Sequence, residues 1–206
     1  MPASRSRKPF KWVTLAASLL FALSPLAPQD DPSQFDTTGQ ATVDGRTTRY
    51  VVRHLPPSAY PQIPLPILDK LTSRGCLIPQ TYEAHQPENV VHASLEHAGS
   101  SDWAVLCSVT GTVSLLVFFG SGDSEPLALA TAQETARLQA HGADATLGFN
   151  WAIDPATPDR VHQAQRNMHN PPPRPDHDAL ADSVLEGKTV YRFFANGSWT
   201  TLETQD

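Results

Sequence analysis

SDWAVLCSVTGTVSLLVFF, residues 101–119, is the longest apolar stretch beyond the N-terminal leader, and it carries the second of two cysteines. It divides at Thr110-Gly111-Thr112 into two short runs rich in β-branched and aromatic residues. Gly99-Ser100 precedes the pair and Gly120-Ser121-Gly122 follows it. Short apolar runs bounded by turn formers predict buried strands joined as a hairpin. The second run is apolar at nearly every position, so it is expected to be covered on both faces, as a central strand is. One buried helix is the competing reading, and Gly111 and its flanking threonines disfavour it.

Working outward, residues 89–95 have the length and composition of a third strand. Two further hairpins carry their own turn chemistry. Asp44-Gly45 lies between possible strands upstream, and Asn196-Gly197 lies between 190–195 and 198–202. Residues 127–130 read as a strand or a helix start, and 149–153 as a strand. Four helices are expected. One covers 66–74, with Pro66 in the first turn and Gly75 as a left-handed stop. Another covers 132–141, from the capping box Thr131-Ala132-Gln133-Glu134. A third opens at Thr157-Pro158-Asp159, with Val161, Ala164 and Met168 on its buried face. The last covers 179–186, capped by Asp178. The expected class is therefore α+β: a single domain over 40–206, with a mainly antiparallel β-sheet and three or four short helices.

Residues 89–107, NVVHASLEHAGSSDWAVLC, resemble the strand–turn–strand unit of FG-GAP or VCBS-like repeats. The unit occurs once, and Glu96-His97-Ala98-Gly99 replaces the calcium-binding Asp-x-Asp-Gly run. The resemblance implies local strand pairing and no calcium site. Residues 61–206 carry Arg74-Gly75-Cys76-Leu77-Ile78-Pro79-Gln80, Asp102-Trp103-Ala104-Val105-Leu106-Cys107, Asp176-His177-Asp178 and the pair Gly197 and Trp199. That set is similar to a family of uncharacterised exported bacterial proteins. It implies domain extent and no particular activity.

Residues 1–27 hold Arg5, Arg7, Lys8 and Lys11, no acid, and an apolar core over 12–23 closed by Pro25. That order reads as a secretory signal peptide. The apolar core falls short of the roughly 20 residues that span a bilayer. An uncleaved inner-membrane anchor is the alternative. Residues 28–39 are polar and read as a disordered arm. Removing the leader leaves 11 basic against 21 acidic side chains, a formal charge of −10. Such a chain repels phosphate backbones, which disfavours nucleic acid as a partner. No basic amphipathic stretch points to the membrane after cleavage. The expected location is the periplasm or the extracellular space. There, Cys76 and Cys107 are expected to form one disulfide, with two buried thiols as the alternative. Closing that loop contributes about 3–4 kcal/mol by the chain-entropy estimate.

The chemistry-bearing residues are few. His169, Asp176 and His177, with Asp178, combine imidazole and carboxylate in a way that suits zinc. Their spacing matches no established motif, and helix ends account for His169 and Asp178 equally well. His85, His92 and His97 form a second group, in which His92 and Ser94 would share a strand face. Trp103, Trp151 and Trp199 suit either a core or a platform for sugars or peptides. No catalytic residue, metal or cofactor is assigned. The expected function is a non-catalytic exported protein that binds a protein or small-molecule partner or supports the envelope. The alternative is an exported hydrolase or metal-dependent enzyme using the groups around 169–178. Mass spectrometry of the exported chain is expected to show loss of about the first 27 residues. A mass retaining the whole leader would establish the anchored form.

Overall fold

The computed structural model describes residues 32–204 apart from Asp44 and Asn167; the leader read over 1–27 lies outside the described residues. The first described element is a 3₁₀ turn, Pro32–Phe35, within the segment expected to be a disordered arm. β1 (Thr37–Val43) and β2 (Arg46–Leu55) form the first hairpin. Pro57 opens a 3₁₀ turn, Pro57–Ala59, beyond the end of β2. α1 (Leu65–Ser73) opens one residue before Pro66, holds that proline in its first turn as expected, and buries Ile67 and Leu71. Each such side chain contributes about 1.5–3 kcal/mol. β3 (Ile78–Gln80) and β4 (Val90–Ala93) are short. β5 (Asp102–Val109) and β6 (Thr112–Phe118) are the predicted central hairpin, turning through Thr110 and Gly111, both at positive φ. β7 (Leu127–Gln133), β8 (Leu138–His141), β9 (Thr146–Phe149) and β10 (Trp151–Ala156) follow. α2 (Pro158–Gln165) is capped by the Thr157 hydroxyl, which accepts from the Arg160 N–H at 3.4 Å. β11 (Ala179–Val184), β12 (Thr189–Ala195) and β13 (Ser198–Glu203) complete the chain.

These strands build three sheets. β4 to β7 form an antiparallel meander, and β10 to β13 form another. The third has the order β1-β2-β9-β8, with β3 added beside β2. In it β2 pairs in parallel with β9 and antiparallel with β3, at successive positions along its length.

The α+β expectation is therefore corrected: the protein is mostly β, and the described residues hold two α-helices rather than three or four. Two segments account for the difference. The capping box at 131–134 is not a helix start; Thr131 to Gln133 end β7 and Glu134 enters a 3₁₀ turn. There the glutamate turns inward to buried partners rather than back to a helix N-terminus. Residues 179–184 form a central strand between β10 and β12, with Ala179 to Asp182 buried. Pairing on both edges overrides the helical spacing of Leu180 and Val184. Asp178 caps no helix, and its Oδ2 accepts from the Ser94 N–H at 3.1 Å.

Alternation along β5 and β6 divides the core. Ala104, Leu106, Leu115 and Val117 face a central cluster with Val52, Phe149, Trp151 and Ile153. Trp103, Val105, Cys107, Leu116 and Phe118 face α1, with Ile67 and Leu71. Both faces of the hairpin are thus covered, as its composition demanded. Cys76 and Cys107 belong to this second cluster and lie at disulfide distance, with Cα atoms 5.3 Å apart. Gly122 also has a steric role here. A Cβ at that position would stand 2.2 Å from Ile67 Cγ1, so the turn after β6 closes onto α1 only without a side chain. α2 covers a third cluster, through Val161 against Ala179, Ala181, Tyr191 and Phe193.

Asn89 joins the three sheets. It is buried at φ 67°, in the left-handed region that asparagine tolerates better than most residues. Its Nδ2 donates to Pro79 O next to Gln80 at 2.7 Å and to Trp151 O at 3.3 Å. Its Oδ1 accepts from Ile153 N–H at 3.0 Å, and its backbone oxygen accepts from Leu106 N–H at 3.1 Å. These contacts reach β3, β10 and β5, one strand from each sheet. Asn89→Ala is expected to lower unfolding stability by about 2–3 kcal/mol, because buried partners lose their hydrogen bonds. Urea denaturation checks this. Asn89→Gly keeps the backbone conformation accessible and is expected to remain destabilised by at least 1 kcal/mol (order of magnitude).

Candidate functional site

The Pro-rich segment 170–175 has few N–H donors and many carbonyls, so something must donate to it. α2 supplies the donors. Gln165, buried, donates through Nε2 to Pro172 O at 3.0 Å and Pro173 O at 3.3 Å. His162 Nε2 lies 3.1 Å from Pro175 O and donates to it. The strap so held becomes one wall of a cleft of about 440 Å³. Glu96 and His97 stand on a second wall, and Phe194 and the Asn196-Gly197 turn on a third.

Each wall has its own support. The loop with Glu96 and His97 is organised by Asp102, which is fully buried. Its carboxylate accepts from the backbone N–H groups of Leu95, Glu96 and Gly120 and from the Ser100 hydroxyl. The Asn196-Gly197 turn has positive φ at both residues, as a type I′ hairpin requires. Behind Phe194, its ring packs on Phe119 and Trp199, each centroid 5.8 Å away.

His177 carries the sharpest chemistry. It is 9 % exposed, and its Nδ1 lies 2.7 Å from Asp176 Oδ1. That hydrogen bond is the main cause holding the Asp176 carboxyl below the ordinary aspartate range. An ionised carboxylate only accepts, so Nδ1 carries the proton. The ring is thereby oriented, as carboxylate-bound imidazoles are. Its Nε2 is buried and has no hydrogen-bond partner.

The structure gathers some predicted residues and disperses others. Asp176, His177 and His97 line one cleft, and Trp199 packs behind it. His169 is exposed and does not line it. Among the described residues, no three His, Cys, Asp or Glu side chains gather closely enough to hold a metal ion. The tryptophans form no shared platform: Trp103 and Trp151 are core residues. His92 Nε2 pairs with Ser101 Oγ at 2.8 Å, while Ser94 Oγ donates to Ser100 O.

A buried polar network escaped the sequence reading. His54 at the end of β2, Ser108 on β5 and Glu134 after β7 meet inside the protein. His54 Nε2 lies 2.8 Å from Glu134 Oε1, and the Ser108 hydroxyl donates to the same oxygen. Strand alternation could have found two of the three. His54 continues the inward series of Tyr50 and Val52, and Ser108 that of Ala104 and Leu106. Glu134 had no local signal. The hydroxyl points to the carboxylate rather than to the imidazole, so Ser108 lacks the serine-to-base hydrogen bond of an activated nucleophile.

Compared with protein-family models, curated proteins and solved structures, the chain matches none.

Burial opposes ionisation of Glu134, but hydrogen bonds from His54 and Ser108 and the imidazole's charge outweigh it and hold the carboxyl below its ordinary value of 4.5. A depressed carboxyl stabilises the fold above its unfolded value and loses that contribution as pH falls through the folded one. Wild-type stability is therefore expected to fall as pH drops below about 4.5, and Glu134→Gln to show a shallower slope there. Urea midpoints between pH 3 and 7 check the difference.

Proposed function

We propose that the protein is an exported, non-catalytic binding protein of the periplasm or extracellular space, and that the cleft beside Asp176 and His177 holds its ligand. The basic-then-apolar leader and the cysteine pair support export. The observation that carries the binding reading is His177. Its ring is held by Asp176, and its second nitrogen is buried without a partner at the lining of a concave site. A buried polar atom left unsatisfied costs about 1–3 kcal/mol, and a ligand hydroxyl that reaches Nε2 on a small shift of the ring removes that cost.

The lining suits a saccharide. The Glu96 and Asp176 carboxylates accept hydroxyl protons, and Arg174 and Asn196 donate. Phe194 offers an apolar face of the kind that packs against sugar C–H groups. Both signs of charge are present, so the site does not select a strongly charged ligand. No serine, threonine or cysteine lines this cleft, so the oriented imidazole has no hydroxyl or thiol there to activate.

Thermal unfolding of the mature oxidised protein against a panel of neutral mono- and oligosaccharides tests the reading. At least one sugar is expected to raise stability saturably, by about 2.7 kcal/mol at a hundredfold excess over Kd. His177→Ala is expected to weaken that sugar at least tenfold, about 1.4 kcal/mol. Absence of any saturable shift across the panel would refute the saccharide reading, and release of reducing ends would establish a hydrolase instead.

A further inference from the structure

A separate cleft of about 360 Å³ opens beside the end of β2, and its chemistry differs from the first. Arg53, His54 and His85 line it, with Gln80 and Gln86; Asp36 is the one carboxylate among its lining residues. The mature chain has a formal charge of −10, and this cleft brings one guanidinium and two imidazoles together with one lining acid, Asp36, while Glu134 engages His54 from behind. Leu55, Ala84 and Pro87 give it an apolar side.

Two observations point to a ligand. His54 is 2 % exposed, and its Nε2 is committed to Glu134, yet its Nδ1 is buried with no hydrogen-bond partner. Arg53 uses Nη2 to hold Ala84 O at 2.7 Å and Thr81 O at 3.4 Å, which fixes the guanidinium at the loop 81–84. Its Nε and Nη1 donate to no described group. Gln80 is already satisfied: its Nε2 donates to the Tyr60 hydroxyl and Ile78 O, and its Oε1 accepts from Glu88 N–H. The donors left over on this lining are Arg53 Nε and Nη1, with the exposed His85 and Gln86 beside them.

We infer that this cleft binds a small organic carboxylate, with Arg53 pairing its charge and the apolar side packing its carbon skeleton. A guanidinium held by backbone carbonyls is pre-oriented, so its charge-assisted bond to a carboxylate loses less side-chain entropy than that of a free surface arginine. The mixed lining distinguishes the ligand from inorganic phosphate, which brings no apolar surface to Leu55 or Pro87. The site stands independently of the saccharide cleft, with which it shares no lining residue.

An NMR titration of the mature oxidised chain tests it, using succinate, inorganic phosphate and uncharged succinamide. Succinate is expected to shift the amides of residues 53–55 and 84–86 saturably, with Kd in the low millimolar range or tighter, and succinamide to leave them unmoved. Arg53→Gln is expected to weaken succinate at least tenfold, and His85→Ala, an exposed substitution that spares the 81–84 loop contacts, at least threefold. His177→Ala is expected to change nothing here. The inference is overturned if succinate fails to saturate these shifts, if succinamide binds equally, if phosphate binds more tightly, or if succinate binding survives in both variants. Should Arg53→Gln lose its native peak dispersion, His85→Ala decides the outcome.

Discussion

The fold depends on satisfying one buried side-chain amide. Asn89 directs its donors to carbonyls on β3 and β10, and its oxygen takes an N–H from β10. Its backbone carbonyl takes an N–H from β5. One strand from each of the three sheets meets at this residue, while the Leu77–Ser108 bridge and the His54–Glu134–Ser108 network join two of the sheets elsewhere. Apolar contact among Val52, Leu106, Phe149 and Trp151 supplies the larger energy, but it is non-directional. The hydrogen bonds fix the register in which those faces meet, since a shifted arrangement would strand the amide in an apolar interior.

Other buried polar groups do the same for the surface features. Asp102 gathers four donors and so shapes the loop bearing Glu96 and His97. Asp178 ties Ser94 to the start of β11. Asp182 accepts from the Trp151 indole at 2.6 Å and from Arg192 at 2.7 Å, which places a charged strand residue within the core. Gln165 and His162 hold down a strap that cannot satisfy itself. Both clefts are therefore lined by side chains whose supports are internal. An imidazole with one nitrogen committed recurs in each, at His54 and at His177.

Much of this architecture was readable because it is written in local chemistry. Asn196-Gly197 is a turn that few other residues could make, Gly111 supplies a positive-φ glycine to the other, and their flanking strands follow. Thr157 and Pro158 mark α2 for the same reason. The misread segments carry signals that distant partners override. Glu134 completes a capping-box pattern, yet His54 and Ser108, far away in the chain, offer its carboxylate a better environment. Residues 179–184 have helical spacing, yet two neighbouring strands claim their backbone. The candidate site was legible in part. His97, Asp176 and His177 were singled out and do share a cleft, whereas His169 faces solvent. Arg174, Glu96 and Phe194 had no pattern of their own, because only the folded strap and hairpin bring them together.

Native-state hydrogen exchange tests the central role of Asn89 most directly. The Ile153 and Leu106 amides, which donate to its side chain and backbone, lie on different sheets. If Asn89 couples the sheets into one cooperative unit, both amides exchange only by global unfolding, with the same opening free energy as the core of β6. Faster exchange of Ile153 through a local opening, while Leu106 stays protected, would contradict that coupling. It would show sheets that pack together but open independently.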